Sequence, residues 1–298
     1  MSVHPEQQYV DAVRNVIDNG FYRPSPHQPL PSQPNPPGTY SLMNINFSFD
    51  LSTGIFPCGT LKPVNFKAMS GELIWMMSGS TDIKDLHGLG VHFWDPWDTP
   101  ETNQAMGWKP GQLGPIYGKQ WRHFGARMPI GDGSFSGDAG EGFDQLTNLV
   151  QMIRDSPSSK RLFVSSYDPI DAIDCFVTTC HGTFFCQVWG DRLNLHMIQR
   201  SGDLPIGVPY NIASYALLLN ILAHVTGLKP GTLHITISDA HVYENQVDAM
   251  RVLLKRRPKP YPRLWINQDV KEFDQFKTND FGLIDYRHHP ALAIDVAT

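Results

Sequence analysis

From Ile212 to Val225 the chain reads IASYALLLNILAHV, an almost unbroken apolar run followed by Gly227 and Pro230. A helix that is apolar on every side has no solvent face, so it belongs at the centre of a domain with other layers packed around it. The glycine and proline beyond it fit a helix end, since glycine tolerates the left-handed cap and proline cannot continue the helix. With 298 residues, 41% of them apolar, the chain is long enough to bury such a core.

The remaining segments supply the layers. Tyr9 to Ile17 has the pattern of a short amphipathic helix, whereas Tyr22 to Gly38 is too proline-rich for one and reads as an extended loop. TYSLMNINFSFDLSTG alternates as a half-buried strand does and closes on a turn. SGELIWMMSGS reads as a buried helical segment with Glu72 embedded in it, and a carboxylate there needs a reason. The Gly/Asp-rich stretch from Ile130 to Gly142 lacks the ligand spacing of a helix-loop-helix calcium site and reads as a flexible surface connection.

Leu146, Leu149, Val150 and Ile153 fall at helical spacing, LFVSS is strand-like, and TLHITIS alternates as a strand. Val247, Met250, Leu253 and Leu254 mark another amphipathic helix. Strands and helices mix without a βαβ rhythm and without an internal repeat. The expectation is one α+β domain over residues 1–298, a mixed β-sheet packed with helices, with a Pro-rich loop at 22–38.

A net charge of −5 with both signs interspersed offers no stripe for nucleic acid and no polybasic membrane anchor. No apolar stretch reads as a bilayer span and the N-terminus lacks a signal pattern, so the expectation is a soluble, cytoplasmic chain. Cys58, Cys175, Cys180 and Cys186 are too few and too irregular for a disulfide scaffold, and no CxxC pair is present. No HExxH and no clustered His/Cys/Asp set suggests a metal, and neither GxGxxG nor a P-loop motif occurs.

Between Val177 and Leu218 reactive and hydrogen-bonding residues crowd into otherwise core-like sequence. Cys180 stands beside His181, and a thiol can serve as a nucleophile or as a small packed hydrophobe. Cys175 and Cys186 read as packing. Arg200 and Ser201 offer a fork of donors and a hydroxyl suited to phosphate, and Lys160 with Arg161 makes a second cationic pair; each can equally be a solvated charge. Asn211 can read the edge of a base or cap the following helix. His241 and Tyr243 alternate and so share one face of a strand, an arrangement that can grip a sugar hydroxyl.

These residues lie in motifs that resemble those of thymidylate synthase and its relatives, the deoxynucleotide hydroxymethylases, over about Gly38 to Thr298. GELIWMMSG resembles HELLWFLxG, WDPW resembles WDEW, and LGPIYGKQWR nearly reproduces GPxYGKQWR. CHGTFFCQ resembles PCHxxxQF, QRSGDLPIGVPYNIASYALL resembles QRSxDxxLGxPFNIASYALL, and DAHVYENQ resembles DAHIYxNH. The resemblance implies that Cys180 attacks C6 of a pyrimidine nucleoside monophosphate, making C5 nucleophilic toward a one-carbon unit from 5,10-methylenetetrahydrofolate.

It also implies roles for the neighbours. Glu72 moves protons and organises water, with Tyr117 and His181 in its network; Asn211 reads uracil. Arg200, Ser201, Gln199, His241 and Tyr243 bind the nucleotide, joined by Lys160 and Arg161 across a homodimer interface, and a nearby Arg200 lowers the pKa of Cys180. Trp94, Trp97, Asp203, Gly207 and Tyr210 form the folate side, which a tail ending in Val296 and Ala297 closes.

Four positions depart from the family pattern. Pro34 stands where the family places a phosphate-binding arginine, so that ligand is either missing or replaced by Arg23 of the longer loop. Lys160 replaces the first arginine of a pair, Thr179 replaces the proline before the cysteine, and Gly71 replaces the histidine before the glutamate. The leading expectation is methylation of dUMP, as in a thymidylate synthase. A dUMP hydroxymethylase of phage type, in a host's cytoplasm, stays open beside it, as do a dCMP or CMP hydroxymethylase and a silent nucleotide-binding relative.

Overall fold

The structure, a computed structural model, describes residues 3–24, 36–126 and 142–295. In chain order the elements are α1 (Gln7–Asn19), β1 (Phe21–Arg23), β2 (Thr39–Asp50), α2 (Phe66–Ser78), α3 (Ile83–Gly88), α4 (Pro100–Met106), α5 (Gly118–Arg122) and α6 (Gln145–Asp155). They continue with β3 (Phe163–Val164), β4 (Thr183–Trp189), β5 (Arg192–Asp203), α7 (Gly207–Val225), β6 (Lys229–Tyr243), α8 (Val247–Leu253), β7 (Arg263–Ile266) and β8 (Phe281–Ile284). The first six strands form one mixed sheet in the order β1-β2-β6-β5-β4-β3, and β7 pairs with β8. The α+β expectation holds.

The central helix begins earlier than its apolar run suggests. Pro209 lies in the first turn of α7, where no intrahelical N–H donor is required, so the proline does not break the helix. The N-cap position is Ile206, which overturns the capping alternative for Asn211. By length and composition α7 could cross a membrane, correcting the expectation that no segment is long enough, yet 83% of that stretch is buried inside the fold. It packs against β5, β6 and α2.

The strand after it runs through all of Lys229–Tyr243, well beyond TLHITIS, while LFVSS yields only the two residues of β3. Tyr22 and Arg23 belong to β1, so the 22–38 loop is narrower than expected; residues 25–35 and 127–141 lie outside the described residues.

β5 and β6 are parallel, pairing Ser201 with Asp239 and Asp203 with His241. Parallel strands bring their C-terminal ends to the same edge. Gln199 to Asp203 and Asp239 to Tyr243, far apart in the chain, therefore lie side by side at one end of the sheet.

Candidate active site

Cys180 lies in the loop leading into β4, and its neighbours fix that loop. The Tyr117 hydroxyl accepts the Cys180 N–H over 3.1 Å, and the Cys180 carbonyl accepts the Arg200 N–H over 2.8 Å. Ser166 Oγ donates to the His181 carbonyl over 2.6 Å, and Trp121 Nε1 donates to the Gly182 carbonyl over 2.9 Å. Gly182 has φ +106°, and a Cβ there would lie 2.6 Å from the Ser166 Cβ, so only glycine fits. Thr179, in place of the family's proline, is buried and donates from Oγ1 to the Ser166 carbonyl over 2.8 Å.

Arg200 pins the same loop from outside. Its Nε and Nη2 donate to the Thr179 and Thr178 carbonyls over 2.9 and 2.7 Å, and Nη2 lies 3.5 Å from Cys180 Sγ. Burial raises the Cys180 pKa, while the Arg200 charge and the Tyr117 hydrogen bond pull it down. The net direction is upward, so the expected Arg200 effect exists but desolvation outweighs it. His181 gives no positive charge to the thiol: burial lowers its pKa to about 3, and its Nδ1 lies 2.9 Å from the Tyr215 hydroxyl.

Glu72 lies on α2, between the buried Gly71 and Leu73. Trp94 Nε1 donates to its Oε1 over 2.8 Å, and burial, partly opposed by that bond, raises its pKa to about 7. Trp94 packs against Trp75, Trp97 and Tyr117 with centroids 6.2, 5.3 and 5.7 Å apart. Tyr117 takes φ +25°, a strained conformation for a residue with a Cβ, and its ring also contacts His181 at 4.6 Å. Gly71 is tightly packed, since a Cβ would come within 2.8 Å of Val91 Cγ2.

On α7, Asn211 Oδ1 accepts from Gln199 Nε2 over 3.1 Å, which directs the Asn211 amide N–H₂ away from Gln199. Gln199 also donates to the Ser201 carbonyl over 2.8 Å, while its own buried Oε1 lacks a hydrogen-bond partner among the described residues. Burial raises the Asp203 pKa to about 6, opposed by the Ile206 N–H, Gln246 and Lys62. Gly207 opens α7. The Tyr210 hydroxyl accepts the Asn65 N–H over 3.3 Å, and its ring lies 5.2 Å from Phe93.

Other predicted residues are distributed less tightly. His241 and Tyr243 are buried and share a face of β6, their rings 5.2 Å apart. Arg23 Nη2 pairs with Asp239 Oδ2 over 2.7 Å, beside Ser201 in the sheet register. Lys160 and Arg161 are exposed just before β3 and make no contact with Cys180 or Arg200 among the described residues. Pro34, Val296 and Ala297 lie outside the described residues.

Sequence reading missed Lys62, Tyr215 and Gln246, which join the site only by proximity. Lys62 Nζ sits over the Tyr210 ring at 5.9 Å. Gln246 Nε2 reaches Asp203 Oδ2 at 3.5 Å and the Asp295 carbonyl at 3.0 Å, linking the chain end to the site. Its signal was the YENQ variant of the family's YxNH. Sequence reading also did not group His87, His92 and Asp95, which come together with their ligand atoms within 4.8 Å of one another.

These contacts set a thiol beside a guanidinium, a carboxyl against an indole N–H and an amide against a glutamine. The thymidylate synthase family model matches residues 7–298. Thymidylate synthase 1/2 of Encephalitozoon cuniculi is 37% identical over 298 residues, covering 99% of this chain and 98% of that protein. The Homo sapiens thymidylate synthase is 35% identical over 297 residues, covering 99% and 91%, and that of varicella-zoster virus is 41% identical over 263 residues, covering 87% and 86%. The chain belongs to the thymidylate synthase family, a family of one-carbon transferases that use methylenetetrahydrofolate as cosubstrate.

Proposed function

We propose that the protein methylates C5 of dUMP, acting as a thymidylate synthase. The carrying observation is the Cys180 thiol 3.5 Å from the Arg200 guanidinium, with the Cys180 N–H on the Tyr117 hydroxyl and the Tyr117 ring 5.7 Å from that of Trp94, which donates to Glu72. The Cys180 thiolate forms a bond to C6 of uracil and is expelled when the product forms. Arg200 steadies the thiolate and, with Ser201, Gln199, His241 and Tyr243, binds the nucleotide; Arg23 takes the part of the absent loop arginine. Asn211 donates its amide N–H₂ to a uracil carbonyl.

Glu72, with a pKa of about 7, exchanges protons with the base near neutrality, Trp94 tuning it and Tyr117 and His181 completing its surroundings. Methylenetetrahydrofolate supplies the carbon and the hydride that completes the methyl group. Trp94, Trp97, Gly207 and Tyr210 line its side, Asp203 holds its ring, and the tail with Val296 and Ala297 excludes water.

A homodimer completes the phosphate site with Lys160 and Arg161 of the second copy. In support, one face of the large sheet carries an exposed ribbon: Phe163 and Phe185 rings lie 4.7 Å apart, followed by His196 and His234, with Ile198 alongside.

The test is mass spectrometry of the nucleotide formed from dUMP and methylenetetrahydrofolate, with the oxidation state of the folate measured in parallel. dTMP with dihydrofolate is expected. A product heavier than dTMP by one oxygen, with tetrahydrofolate recovered, establishes a hydroxymethylase instead.

A further inference from the structure

We propose that His87, His92 and Asp95 form a surface site for a divalent transition-metal ion of the zinc, cobalt or nickel type. His87 closes α3, His92 follows on the next loop, and Asp95 opens the short turn Asp95–Trp97. His87 Nε2 lies 2.6 Å from one oxygen of Asp95, and His92 Nδ1 lies 3.0 Å from the other. The two imidazole rings are 4.5 Å apart.

Two imidazoles and a carboxylate are the ligand set that borderline metals prefer, and water can complete the shell. Ligand atoms around a tetrahedral zinc stand roughly 3.3 Å apart, given bonds of about 2.0–2.1 Å. The trio reaches that spacing when His87 Nε2 moves about 0.7 Å off Asp95 and the two imidazoles turn until both nitrogens face one point, which partly exposed side chains can do. On binding, the ring nitrogen that faces Asp95 takes the metal, and any hydrogen it carried moves to the other ring nitrogen or leaves to water. His92 and Asp95 bracket Phe93 and Trp94, so an ion here tethers the segment that carries the hydrogen bond to Glu72.

Equilibrium dialysis of the full chain against Co²⁺, with visible spectroscopy, tests the site. One ion per chain is expected, with visible d–d bands and no thiolate charge-transfer band. Affinity should fall by roughly tenfold or more in the His87→Ala/His92→Ala double variant and remain unchanged in Cys180→Ser. Circular dichroism checks the fold of the double variant. Independently, Zn²⁺ should protect His87 and His92 of the wild-type chain from diethyl pyrocarbonate, read by peptide mass spectrometry. No bound Co²⁺, undiminished binding in a folded double variant, a thiolate band, or no protection overturns the proposal.

Discussion

The Trp94 indole N–H donates to Glu72 over 2.8 Å, from a residue far along the chain into the middle of α2. This bond opposes the burial that raises the Glu72 pKa to about 7. Trp94→Phe removes the donor and raises that pKa further. The acid limb of the kcat profile should move to higher pH by about one pH unit, the value of one hydrogen bond to a charged group. An unmoved limb would separate Glu72 from the proton transfer.

The same carboxyl costs stability when ionised. Its folded pKa lies above its ordinary value of 4.5, so the protonated form favours the fold, and this advantage disappears as pH rises through about 7. Glu72→Gln should match the wild type near pH 4 and exceed it above pH 8 by about 1–3 kcal/mol, because a tenfold change in the proton equilibrium is worth ~1.4 kcal/mol. Urea unfolding at the two pH values measures this, with turnover lost in the variant.

Arg200 is the cationic group that restrains the upward displacement of the Cys180 pKa. Arg200→Gln should slow iodoacetamide alkylation of Cys180 at neutral pH by roughly tenfold, with the rate recovered about one pH unit higher. Equal alkylation profiles would show that the thiol does not sense the guanidinium.

Asn211 Oδ1 accepts from Gln199, and in the proposed reaction its N–H₂ donates to the base. Asn211→Asp replaces that donor with an acceptor that suits an exocyclic amine. The kcat/KM ratio of dCMP to dUMP should rise by roughly a hundredfold, the scale of one mismatched polar contact at each base. Competition assays with both nucleotides read it directly.

Phe185 lies 39% exposed between Phe163 and His196 on the large sheet. Phe185→Asp should turn a wild-type dimer into a monomer in sedimentation velocity and abolish turnover, since Lys160 and Arg161 would no longer reach a second site. An active wild-type monomer removes both the interface and the shared phosphate site.

The α+β class, the buried α7 and the embedded Glu72 are legible along the chain, because apolar periodicity and run length are local properties. The ordered motifs likewise identify the family and Cys180. Local signals misjudge the start of α7, where Pro209 resembles a break although the first turn tolerates it, and so leave Asn211 between capping and base reading. What surrounds each group is settled by contacts between distant segments. The parallel pairing of β5 and β6 sets Arg200 and Asp203 beside Asp239 and His241, and packing brings Trp94 to Glu72, Tyr215 to His181 and Gln246 to Asp203. The pKa values of Glu72, Cys180 and Asp203 follow from that enclosure, because desolvation depends on what is packed around a group in space and not on its neighbours along the chain.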